Sequence, residues 1–78
     1  MALLIHLEDP RFTDELCSYF ERSGFEAHAR GPGVAQVAMP EVSDAAQSRR
    51  EIELHLRVWQ AIRPMAHAFL TGAPGRAN

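Results

Sequence analysis

The fold is decided by the stretch SDAAQSRREIELHLRVWQAIRP, from Ser43 to Pro64, which is the longest helical pattern in the chain. At about 100° per residue, this helix carries two apolar stripes that lie about 120° apart. The stripes are Ile52-Leu56-Trp59 and Leu54-Val58-Met65. Together they span roughly 200°, whereas a helix that covers one sheet needs about 100–140°. The extra width predicts that this long helix contacts something besides its own sheet.

The ends of the long helix follow from its flanking residues. Ser43 is a suitable N-cap, although the run from Ser48 to Glu51 also has the spacing of a capping box. Pro64 removes a backbone donor, so the helix ends or kinks there. We favour Ser43 as the start.

Upstream of the long helix, the pattern predicts a strand, a helix and a hairpin. Residues 2–8 alternate as a strand, and Asp9-Pro10 caps and opens a first helix that ends at Gly24. Residues 25–30 and 34–39 form two strands around the turn Gly31-Pro32-Gly33, and Pro40 ends the second of them.

The predicted order of elements is therefore β-α-β-β-α, in one α+β domain over residues 1–72 with a flexible tail at 73–78. A right-handed crossover places the first and second strands parallel, with the third strand between them. The result is a two-layer sandwich with sheet order 1-3-2 and both helices on one face, a ferredoxin-like unit that lacks the last strand. Residues 65–71 read as more helical than extended, so the first strand is left as an open edge.

Composition excludes several classes of protein. The chain has 78 residues, a net charge of −2, one cysteine (Cys17) and no lysine. These values argue against internal disulfides, CxxC metal pairs, lysine nucleophiles and a polyanion-binding surface. No apolar run is long enough to span a membrane, so we expect a cytoplasmic protein without a membrane partner.

The histidines and the cysteine are the main candidates for chemistry, and none forms a site. His6 and His28 share the open face of the sheet, but an intervening strand separates them by about 9–10 Å, so we expect no metal or cofactor there. His55 lies on the apolar arc of the long helix, as a buried histidine or as a pH-sensitive contact. Cys17 reads as a small buried hydrophobic residue.

The open face of the predicted sheet also argues against RNA binding. RNA-recognition domains with this kind of sheet stack bases on aromatic rings of the central strands. The residues expected on this face carry no phenyl or indole ring and include an acid: Leu4, His6, Glu26, His28, Gln36 and Ala38. We therefore expect no nucleic-acid partner.

Three segments resemble small prokaryotic signal-transducing proteins and short actinobacterial proteins of the same β-α-β-β-α plan. They are DELCSYFERSGFEAHA (14–29), AQVAMPE (35–41) and EIELHLRVWQAIRP (51–64). The resemblance covers residues 3–64 and implies the fold. It carries over no active site, and this chain lacks the zinc ligands of the zinc-ribbon-linked members.

The function that these patterns favour is a non-enzymatic interaction or regulatory module that acts as a homodimer, with an unidentified protein as a further partner. Two dimer contacts compete: pairing of the first-strand edges, and packing through the long helix. We prefer the helix, with an expected interface of Leu54, His55, Val58, Trp59 and Ile62. The alternative is a ferredoxin-like domain that senses a small metabolite at a subunit boundary, in a pocket between the first strand and the long helix. An enzyme that uses His6 or His28 is the third hypothesis.

Overall fold

The computed structural model of the protein describes residues 2–40 and 44–71. It contains four strands and two helices, with a short 3-10 turn before the first helix. In chain order they are β1 (Ala2–Leu7), the turn (Pro10–Phe12), α1 (Thr13–Arg22), β2 (Glu26–Gly31), β3 (Val34–Ala38), α2 (Ala45–Ile62) and β4 (Ala68–Thr71).

The four strands form one antiparallel sheet in the order β2-β3-β1-β4. Leu3 lies opposite Val37 and Ile5 lies opposite Ala35, which places the third strand between the first two. The α+β class and the predicted order of the first three strands are therefore confirmed.

The prediction of a ferredoxin-like unit with three strands and no last strand is wrong. β4 pairs with β1, with Leu70 opposite Ile5 and Phe69 opposite His6. Part of the segment predicted to be helical, residues 65–71, is thus a strand, and the β1 edge is not open. The physical reason is that β1 offers a row of free backbone groups which a following segment satisfies by pairing with it.

α2 begins after Asp44, whose carboxylate accepts hydrogen bonds from the backbone N–H groups of Ala46 (2.9 Å) and Gln47 (3.5 Å). The favoured cap, Ser43, lies outside the described residues, and the alternative start at Ser48 is wrong because Ser48 lies inside the helix and is buried. The helix ends at Ile62, two residues before Pro64, as its sequence predicts.

α1 has a start that differs in detail from the prediction. The Asp9 carboxylate caps the 3-10 turn by accepting from Arg11 N–H at 3.0 Å, and the α-helix proper begins at Thr13. At the other end Gly24 has φ +95°, and the N–H of Phe25 returns to the carbonyl of Phe20 at 2.9 Å. This is the left-handed helix end that the glycine predicts.

One face of the sheet is buried under both helices, and the other is open. The strands contribute Leu3, Ile5, Leu7, Ala27, Ala35 and Val37 to the core, and the helices contribute Leu16, Cys17, Phe20, Ile52, Leu56 and Trp59. The described residues thus share one core. The predicted tail, residues 73–78, lies outside the described residues.

Candidate interaction surface

The outer face of α2, which we define as Leu54, Val58 and Ile62, is the main exposed apolar feature of the helix layer. These side chains recur at i, i+4 and i+8, so they lie in one line along the helix. Their exposed fractions are 53%, 48% and 58%. Met65, the expected end of the second stripe, is also exposed just beyond the helix. The structure therefore places the second apolar stripe in solvent, with no described part of the chain over it.

The first stripe of α2 covers the sheet. Ile52 and Leu56 are buried, and Trp59 is 2% exposed and meets the ring of Phe12 edge to face, with centroids 6.3 Å apart. Trp59 was expected both in this stripe and as an interface anchor. Because its side chain belongs to the core, it offers no surface to another chain. Its predicted place in the stripe that covers the sheet is confirmed, whereas its role as an interface anchor stays a prediction that its burial disfavours.

His55 packs between the two helices instead of on the outer face of α2. Its Nδ1 atom lies 3.3 Å from the Tyr19 hydroxyl oxygen, within hydrogen-bond distance. Its ring meets Phe25 edge to face at 4.9 Å and lies 6.3 Å from the ring of Phe20. His55 is thus a half-buried histidine with a side-chain hydrogen-bond partner, and the predicted interface set divides into outward residues and core residues.

An open groove of about 590 Å³ runs between α2 and β4. Its lining combines apolar side chains with two charged ones and a glutamine: Glu53, Leu56, Arg57, Gln60, Ala61, Ala68 and Leu70. Glu53 forms an ion pair with Arg49 one turn earlier, at 3.2 Å. Among the described residues Arg57 has no ion-pair partner, so its guanidinium is available to an anionic group.

Gln60 fixes the position of β4 beside this groove. Its Oε1 atom accepts from Ala68 N–H at 2.8 Å, and its Nε2 group donates to the carbonyl of Arg63 at 3.0 Å and to that of Ala66. One side chain therefore satisfies three backbone groups in the segment that leads into the last strand. Sequence reasoning missed this role because Gln60 reads as an ordinary polar residue on the wet arc of the helix.

The open face of the sheet brings His6 next to a ring that the sequence did not place there. His6 stacks with Phe69 of β4, with ring centroids 5.6 Å apart and an interplanar angle of 13°. Phe69 is 54% exposed. Arg30 hydrogen-bonds to Gln36 on the same face. The sequence did not place Phe69 on this face because it did not predict β4.

His6 and His28 are not brought together. β3 lies between their strands, and His28 lies opposite Gln36 while His6 lies opposite Val34. The described residues contain no group of three or more His, Cys, Asp or Glu side chains placed to hold a metal ion. The two histidines therefore have no geometry of a shared site in this part of the chain.

Cys17 is buried on α1 beneath two acidic residues. Burial raises the pKa of its thiol above the ordinary value, and the nearby charges of Glu21 and Asp14 raise it further. A raised pKa favours the neutral thiol, which is a weak nucleophile. The residue behaves as the small hydrophobic side chain that the sequence predicts.

Comparison with known proteins found no matching family model, no similar curated protein and no similar solved structure. Within the described ranges, neither helix combines the length and the hydropathy that crossing a bilayer requires. The class that the geometry defines is an α+β domain with a four-stranded antiparallel sheet and two helices.

Proposed function

We propose that the protein is a small, non-enzymatic interaction module of the cytoplasm that acts as a homodimer through the outer face of α2. The observation that carries this proposal is the exposure of Leu54, Val58 and Ile62, each about half accessible, in one line. A line of aliphatic side chains on a helix fits a groove on a partner or the same helix of a second copy. The order β-α-β-β-α-β, with each helix crossing over one neighbouring strand, supports a ferredoxin-like arrangement for the module.

The outer face has a composition that suits protein contact. It is apolar along its centre, and charged residues such as Arg50 and Arg57 lie beside it on the helix. Interfaces combine an apolar centre with a polar rim in this way. Truncating or charging the central residue should remove most of the contact energy, because a few central residues dominate such interfaces.

The test is Val58→Glu, measured by sedimentation equilibrium at micromolar concentrations. We expect the mass of the particle to fall by half, since a contact between identical faces is lost from both copies at once. Ala46→Glu is the matched control, because it adds the same charge at an exposed position in the first turn of α2, about 120° around the helix from Val58. A variant that keeps the wild-type mass, or a wild-type chain that is a folded monomer, would overturn the proposal.

A ligand-sensing domain is the second candidate, and the groove between α2 and β4 favours it. The pocket was expected between β1 and the long helix. The groove lies one strand further out, because β4 pairs with the edge of β1. Arg57 suits an anionic group, while Leu56 and Leu70 suit an apolar one. The test is a thermal-shift screen with amino acids and nucleotides. A stabilising compound whose effect disappears in Arg57→Ala supports this function, and a screen without any shift counts against it.

A further inference from the structure

The edge strand β2 is the most open edge of the sheet. It lies at the end of the strand order, and among the described residues it pairs only with β3. The opposite edge, β4, has four residues, and Gln60 already occupies the N–H of Ala68. A further strand therefore finds more free backbone groups on β2 than on β4.

The direction of the backbone groups in β3 follows from one hydrogen bond. The N–H of Leu7 donates to the carbonyl of Gly33 at 2.8 Å, so Gly33 points toward β1. Backbone groups of successive residues in an antiparallel strand point to opposite sides. Gln36 and Ala38 therefore direct their N–H and C=O groups toward β2.

The same alternation then assigns the groups of β2. His28 lies opposite Gln36 and Glu26 lies opposite Ala38, so these two residues exchange hydrogen bonds with β3. Ala27 and Ala29, between and after them, direct their N–H and C=O groups outward. The β2 edge therefore presents four free backbone groups, two donors and two acceptors.

We propose that a second copy of this chain pairs with β2, antiparallel, about a two-fold axis that passes through His28. In this register Ala27 of each copy lies opposite the partner's Ala29, and the two residue pairs exchange four N–H···O=C hydrogen bonds. The two sheets then join into one sheet of eight strands. The proposal goes beyond the function proposed above, because it uses none of the residues on the outer face of α2.

Charge selects this register over its neighbours. About His28, Glu26 of each copy lies opposite the partner's Arg30 on the open face of the sheet. If each Arg30 guanidinium exchanges its hydrogen bond with Gln36 of its own chain for the partner's Glu26, two cross-strand pairs of opposite charge form. An axis through Ala29 would place His28 opposite the partner's Arg30, without an acid. An axis through Ala27 would place Glu26 opposite the partner's His28 and would leave Arg30 without an acid opposite it.

Two features restrict the strength of this pairing. The register of β2 shifts between Ala29 and Gly31, so Arg30 is the extra residue of a bulge and the regular edge ends at Ala29. α1 packs over β2, and its exposed acids Asp14 and Glu21 come to lie on the same side of the joined sheet in both copies. Like charges there oppose association, so we expect a contact that forms at about 100 micromolar or above, higher than the concentrations at which the α2 contact is tested.

The test is a charge exchange in the Val58→Glu background, which removes the contact proposed for α2. Sedimentation is measured for this chain and for the same chain with Glu26→Arg, with Arg30→Glu, and with both. Each single reversal replaces two attractive pairs by two repulsive ones, so we expect the dimer dissociation constant to rise about tenfold or more. The double exchange restores the pairs with their order reversed, and it should return the constant to within a few-fold of its starting value.

Amide hydrogen exchange supplies a second measurement. The N–H groups of Ala27 and Ala29 should be protected in the dimer and should lose that protection in Glu26→Arg. A Val58→Glu chain that is monomeric at high micromolar concentration, with rapid exchange at both alanines, overturns this proposal and leaves the α2 contact standing. Single reversals without effect, or a double exchange that stays dissociated, overturn it as well.

Discussion

The side chain of Gln60 accepts a hydrogen bond from the backbone N–H of Ala68 across eight residues, at 2.8 Å. The Gln60 side-chain oxygen takes the place of the backbone carbonyl that a neighbouring strand would offer to this N–H. Gln60 is therefore the residue that links the end of the long helix to the start of β4, and it also shortens the free edge of that strand.

Replacing Gln60 by leucine should destabilise the protein and release β4 first. The change leaves the N–H of Ala68 and the carbonyl of Ala66 without their partner, at a cost of about 1–3 kcal/mol. We expect a lower urea midpoint and faster amide exchange at Phe69, whose N–H faces β1. Gln60→Glu keeps an acceptor for Ala68 but sets a carboxylate oxygen against the carbonyls of Arg63 and Ala66, so it should also lower the midpoint. Gln47→Leu on the exposed start of α2 should have little effect. Equal stability of Gln60→Leu and wild type would contradict this role.

The contrast between β4 and the other strands shows what the sequence can predict. β1 places Leu3, Ile5 and Leu7 on one face, β3 follows the turn Gly31-Pro32-Gly33, and Gly24 ends α1 with a positive φ, so local chemistry specifies each of these elements. AFLT has only four residues and no comparable alternation. It becomes a strand because β1 needs a partner and Gln60 holds its first residue, and both causes are distant in the sequence.

Some residues of the candidate surface can likewise be predicted from the sequence, and others only from the packing. Helical periodicity identified Leu54 and Val58 as a stripe with no partner in the first 40 residues, and both are exposed. Periodicity could not separate Trp59 from that interface, because a large aromatic residue suits a core and a contact surface equally well. Only the packing of Trp59 against Phe12 decides between them.

Thr13 is buried, and removing its hydroxyl should lower the free energy of unfolding. It donates to the carbonyl of Pro10 at 2.8 Å and accepts from the N–H of Gly33 at 3.0 Å, so it joins the start of α1 to the β2–β3 turn. Thr13→Val keeps the shape and leaves the Gly33 donor unsatisfied, which should cost about 1–3 kcal/mol. Thr13→Ser keeps the hydroxyl and should lose less. Chemical denaturation of the two variants checks the order, and a valine variant as stable as the serine variant would refute it.

Gly33 should tolerate a side chain less well than Gly24, although both have positive φ. A Cβ atom at Gly33 would lie 2.8 Å from the backbone oxygen of Leu7, whereas one at Gly24 meets nothing within 4 Å. Gly24→Ala should therefore lower the free energy of unfolding only by the cost of a left-handed alanine, about 1–2 kcal/mol. Gly33→Ala bears this cost and a clash with backbone that cannot move aside freely. We expect a clearly lower thermal midpoint for Gly33→Ala, and equal midpoints for the two variants would contradict the close approach.

Cys17 should make the stability of the fold fall at alkaline pH. The folded state raises the pKa of its thiol through burial and the nearby acids Glu21 and Asp14. The unfolded thiol therefore ionises at lower pH than the folded one. Losing this proton stabilises the unfolded state relative to the folded state. Below the unfolded pKa, about 8.5, the thiol does not change the free energy of unfolding. That free energy decreases as the pH rises from there toward the folded pKa.

The measurement is the urea midpoint at pH 7 and at pH 9.5 for wild type and Cys17→Ala. We expect the wild-type midpoint to fall more between the two pH values than that of the variant. The chain has no lysine, and every titratable group other than Cys17 is common to the two proteins. The difference between the two pH dependences therefore isolates the thiol. An equal fall in both proteins would show that ionisation of Cys17 does not contribute to the alkaline loss of stability.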